Sequence, residues 1–66
     1  MNPAEKGERY ARVFRKAGAF LGKSNIARAV EVLKEGQTLA QSLGDSAMAR
    51  RFAGEIARVT NPPPSD

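Results

Sequence analysis

The sequence predicts an all-α fold, an antiparallel helical hairpin followed by a third, closing helix. Apolar side chains recur at the helical period in three separate stretches. Capping and stop residues stand between those stretches, at Gly22 with Ser24-Asn25 and at Gly44-Asp45. The connections are only two to four residues long, which favours antiparallel neighbours. No segment alternates apolar and polar residues as a strand does.

The first helix is expected over residues 3–21. Asn2 is placed to cap it, Pro3 suits the first helical position, and Glu5 stands where an acid favours the helix dipole. Tyr10, Val13, Phe14, Ala17, Phe20 and Leu21 fall on one arc at 100° per residue, with Arg9, Arg12, Lys16 and Lys23 opposite. Glu5 with Arg9, and Glu8 with Arg12, are spaced as i,i+4 ion pairs in the favourable order. Gly22 is expected to end the helix, and Ser24 or Asn25 to cap the next.

The second helix is expected over 26–43. Its apolar residues, from Ile26 through Val32, Leu33 and Gly36 to Leu43, cover about half the circumference, so it needs a neighbour on each flank. Gly36 projects to the centre of that arc, which predicts a close helix approach there. The third helix is expected over 46–59, with Gly44 ending its predecessor and Asp45 as its N-cap. Met48, Phe52, Ile56 and Val59 form a narrow stripe beside Ala49, Ala53 and Ala57, the pattern of an outer helix. Residues 1–59 are thus expected to form one domain, and 60–66, with three consecutive prolines, an extended tail.

A chain of 66 residues builds only a small core. With no Cys and no His, disulfides, thiolate sites and imidazole-bound zinc are excluded, and no Asp-rich loop offers a cation site. No metal or cofactor is expected, and self-association or a bound partner is the expected reinforcement. The apolar runs are too short to span a membrane, the N-terminus does not read as a secretory leader, and the absence of Cys fits the cytoplasm. The net charge of +4 lies wholly in residues 1–23, which carry six basic and two acidic side chains, whereas residues 24–66 carry five of each. That asymmetry points to an acidic partner surface met by Arg9, Arg12, Lys16 and Lys23.

The run Ala17-x-x-Phe20, then Ser24-Asn25-Ile26-x-x-Ala29-Val30-x-x-Leu33-x-x-Gly36, resembles a tetratricopeptide repeat. Ala17 and Phe20 match the small and aromatic positions late in that family's first helix. Ala29, Leu33 and Gly36 match the small, large and small positions of its second. Ala57 recurs forty positions after Ala17, the step of a longer repeat, which makes the third helix the start of an incomplete second unit. Lys16 and Val13 depart from the pattern, standing where the family usually has Leu and Trp. One and a half repeats is also fewer than the roughly three that ordinarily stand alone. A solenoid fragment and a plain three-helix bundle share this periodicity, and both remain open at this stage.

Catalytic chemistry finds no foothold in the sequence. His and Cys are absent, and Glu31 and Glu35, a carboxylate pair at i,i+4, project onto a polar arc where water keeps them ionised. Gly18 through Gly22-Lys23-Ser24 looks like a phosphate loop, but one residue short and inside a helix with no strand before it. The chain is therefore expected not to be an enzyme. What the resemblance implies is a concave surface built from the first helix of each repeat. Carried over by position, it comprises Ala11, Phe14, Gly18, Leu21 and Gly22 on the first helix, and Arg51, Gly54 and Arg58 on the third. Such a groove takes a peptide or helix with apolar anchors and a carboxylate for the arginines. The expected function is an adaptor or assembly subunit that binds another protein or another copy of itself. The alternative is a small basic nucleic-acid-binding protein using the stripe of the first helix. Against that alternative, Tyr10 and Phe14 lie on or near the apolar arc rather than free for base stacking.

Overall fold

The computed structural model describes residues 1–61 as three α-helices joined by two three-residue turns: α1 (Pro3–Gly22), α2 (Ile26–Ser42) and α3 (Ser46–Thr60). Thr60, expected in the tail, is the last helical residue. The remainder of the expected proline-rich tail, 62–66, lies outside the described residues.

Each helix begins on an Asx side chain that accepts a backbone N–H three residues on, which satisfies one of the orphan donors of the first turn. Asn2 Oδ1 accepts from Glu5 at 2.8 Å, Asn25 Oδ1 from Arg28 at 3.3 Å and Asp45 Oδ1 from Met48 at 3.2 Å. The two turns share one geometry. In the first, the Asn25 N–H donates to Phe20 O at 2.8 Å and the Ser24 N–H to Leu21 O at 2.9 Å. In the second, Asp45 donates to Ala40 O at 2.8 Å and Gly44 to Gln41 O at 3.1 Å. Both are Schellman closures, which need a left-handed residue in the middle. Gly44 fills that place with φ 70°, whereas Ser24 does so with φ 60°. Gly22, expected as the stop, is the final helical residue, two positions short of the one that reverses the chain.

α2 packs against α1 on one flank and α3 on the other, as its wide apolar arc requires, and no Cα of α1 comes within 8 Å of one of α3. The outer helices meet through side chains over Gly36. A Cβ built there would lie 2.6 Å from Phe52 Cε1 and Cζ and 2.9 Å from Val13 Cγ1. The missing side chain leaves the seat that Phe52 fills. The Phe52 ring is fully buried and stacks on Phe14, with centroids 4.7 Å apart and an interplanar angle of 11°. It meets Tyr10 edge-on at 5.8 Å. α3 is an outer helix, as its narrow stripe predicts, since among the described residues its backbone neighbours α2 alone, and its Phe52 supplies the centre of a core completed by Tyr10, Ala17, Val32, Leu33 and Ala40. The expected ion pairs of α1 do not form. Glu5 accepts instead from Asn2 Nδ2 at 3.2 Å, and Glu8 faces Arg15 at 3.9 Å, because the cap recruits the first carboxylate and both Glu8 and Arg15 are solvated.

Candidate docking surface

The flank of α1 turned toward α3 carries Ala11 and Phe14, both half-buried, and Gly18 and Leu21, both exposed. At 100° per residue these four share one edge of the helix. Arg51 reaches across from α3 and lays its guanidinium over the Phe14 ring, 5.1 Å from the centroid. Phe14 thus stacks on the Phe52 ring and carries the Arg51 guanidinium as well. Packing against an aromatic face occupies the guanidinium plane and leaves its N–H edge available for an acceptor. Arg51 is in no ion pair among the described residues, whereas Arg58 is held by Glu55 on its own helix. Of the residues expected in the groove, the structure therefore joins Phe14 with Arg51 and engages Arg58 elsewhere. Leu21 is 37 % exposed, and a Cβ added at Gly18, Gly22 or Gly54 would meet open space, so none of the described residues covers this face.

One cluster the sequence pattern misses joins α1 to the second turn. Tyr10, assigned by periodicity to the apolar arc, is buried with its hydroxyl donating to Asp45 Oδ2 at 3.0 Å. Lys6 Nζ sits 3.2 Å from the same oxygen. Asp45 thus caps α3 with one carboxylate oxygen and ties down α1 with the other. The Met48 amide holds its carboxyl below the ordinary carboxylate range, opposed by partial desolvation and aided by Lys6 and Tyr10. Burial raises the Tyr10 phenol, and the bond to Asp45 and the charge on that residue raise it further. The available signal was a Tyr on an otherwise apolar arc, since a buried phenol needs a partner. Naming Asp45 required knowing which turn lies beside it.

On the far side of α1, Arg9, Arg12, Lys16 and Lys23 are all exposed and form no ion pair among the described residues. Arg9 and Arg12 rim a depression of about 310 Å³ between α1 and α2, whose other walls are Val13, Leu39 and Glu35. Glu31 and Glu35 are exposed, with Glu31 paired to Arg28 at 3.0 Å. Arg28 also covers the Phe20 ring at 5.6 Å. Tyr10 is buried, and Phe14 and Phe20 each carry an arginine over the ring. No helix among the described residues is long and apolar enough to cross a membrane. Set against the models of known protein families, curated proteins and solved structures, the chain finds no match.

Proposed function

We propose that the chain is a non-catalytic protein-docking module, tetratricopeptide-like in its helical hairpin, that receives a peptide or helix on the face between α1 and α3. The observation that carries this reading is the Arg51–Phe14–Phe52 stack. It presents a guanidinium without an ion pair among the described residues on an aromatic ring, with exposed Leu21 about two turns further along the same edge of α1, the combination that accepts a carboxylate and an aliphatic anchor. The repeat-like reading draws support from Gly36, whose small-residue position is the one that Phe52 closes upon. A short chain with a modest core gains stability from such a partner. An adaptor or assembly subunit of the cytoplasm is the corresponding role, with self-association as the form that needs no other protein.

Calorimetric titration with amphipathic peptides carrying Leu next to Glu tests the proposal. Binding is expected for the parent chain, to be lost in Leu21→Asp and weakened in Arg51→Ala, with helical circular dichroism unchanged in both. Sedimentation over a concentration series tests the self-association form, which a monomer at every concentration would eliminate. If no peptide binds and no oligomer forms, the proposal is wrong.

A further inference from the structure

We propose that the opposite face of α1 is a second, separate docking surface, and that it fits an acidic amphipathic helix with one aliphatic side chain seated between α1 and α2. It does not rest on the α1–α3 reading. Four cations define it. Arg9, Arg12, Lys16 and Lys23 run along one side of α1 for about 21 Å at 1.5 Å per residue, exposed and without an ion pair among the described residues. The two carboxylates spaced to neutralise them are engaged elsewhere, Glu5 by Asn2 and Glu8 by Arg15. What remains is a ridge in which Arg9, Arg12 and Lys16 rise by about one helical turn each, with Lys23 two turns further on at the end of the helix, a spacing that a helix bearing Glu or Asp at i, i+4 and i+7 reproduces.

Three features favour a single acidic helix over a nucleic acid. The depression beside Arg9 and Arg12 is lined also by Val13 and Leu39, which suits an aliphatic side chain, a group that a nucleic-acid backbone lacks. Glu35 stands on the α2 wall of that depression. A broad polyanion resting on the ridge meets this carboxylate, whereas a helix about 10 Å wide aligned on α1 avoids it. The covered aromatics of α1 also leave no platform for bases.

The probe is a fluorescein-labelled, alanine-rich peptide of about twenty residues, long enough to be helical in water, with Glu at i,i+4 spacing and a single Leu, read by anisotropy at low salt. The parent chain is expected to bind it, and to bind more weakly as salt rises. The Arg9→Glu, Arg12→Glu double variant is expected to lose about tenfold in affinity. Glu35→Gln is expected to leave the peptide's affinity unchanged, and removing the Leu from the peptide to weaken binding. Arg51→Ala, on the α1–α3 face, is expected to leave it unchanged, so failure of either surface is visible separately. The proposal is overturned by no binding at low salt, or by equal binding to the double variant. It is equally overturned by a short DNA duplex that binds more tightly than the peptide and tightens further in Glu35→Gln.

Discussion

A methyl group added at Gly36 meets two ring carbons of Phe52 at 2.6 Å, while one added at Gly18 or Gly54 meets nothing. The same substitution therefore has opposite signs at different positions. Gly18→Ala and Gly54→Ala are expected to stabilise the chain by up to about 1 kcal/mol, the difference in helix propensity. Gly36→Ala gains the same propensity but displaces a fully buried ring, an overpacking cost of about 1–3 kcal/mol, and is expected to lower the thermal midpoint. Ser24 offers a third case. It holds the left-handed conformation that Gly44 holds in the equivalent turn, so Ser24→Gly is expected to relieve part of a strain of about 1–2 kcal/mol. Denaturant titration of the four variants checks all of these. Gly36 was legible in the sequence because it interrupts an apolar arc at its centre. Ser24 was not, because the choice of the reversing residue follows from the position of Asn25 as the next cap, and Gly22 stood nearby as a decoy.

At the scale of elements, the helix starts were readable because caps are local: Asn2, Asn25 and Asp45 each bond within their own first turn. The link that fixes α1 on the turn between α2 and α3 is not local. It joins Tyr10 to Asp45, thirty-five residues apart, and only the packed arrangement brings them together. This link makes stability depend on pH at both ends. The Asp45 carboxyl titrates lower in the fold than in the unfolded chain, so its contribution is complete above the ordinary carboxylate value of about 4. That contribution is lost as pH falls through the lowered native value. The Tyr10 phenol titrates higher in the fold, so its contribution is complete below about 10 and is lost as pH climbs through the raised native value. Thermal melts of the parent chain are expected to drop at the acid extreme, and those of Asp45→Asn to fall less steeply there. An Asp45→Asn profile that drops as steeply as the parent's would remove Asp45 from the account.

Across the whole molecule, the dimensions are 42 × 21 × 17 Å, so the thinnest axis is less than two helix diameters and every helix keeps a face in solvent. The two-flanked α2 was legible from the width of its apolar arc. The part played by α3 was not. Its narrow stripe reads correctly as that of an outer helix, but a sequence pattern does not reveal that its one aromatic residue enters the gap left by a glycine on a neighbour. Phe52→Ala is expected to cost about 3–5 kcal/mol. A single core in a chain this short supplies only about 3–5 kcal/mol, so the variant is expected to be largely unfolded by circular dichroism at room temperature. The α1–α3 face was legible only in part. The sequence pattern placed Phe14 and Arg51 on the same surface, but the stacking that separates Arg51 from Arg58 depends on side-chain geometry.

The Tyr10–Asp45 bond has an optical consequence. The sequence contains no Trp and a single Tyr, so ultraviolet emission of the protein comes from one phenol, and that phenol donates to a carboxylate in the native state. Excited phenols lose their emission to such acceptors. Release of α1 from the turn therefore brightens the signal without any label, and a stopped-flow trace at tyrosine wavelengths times the parting of this one junction.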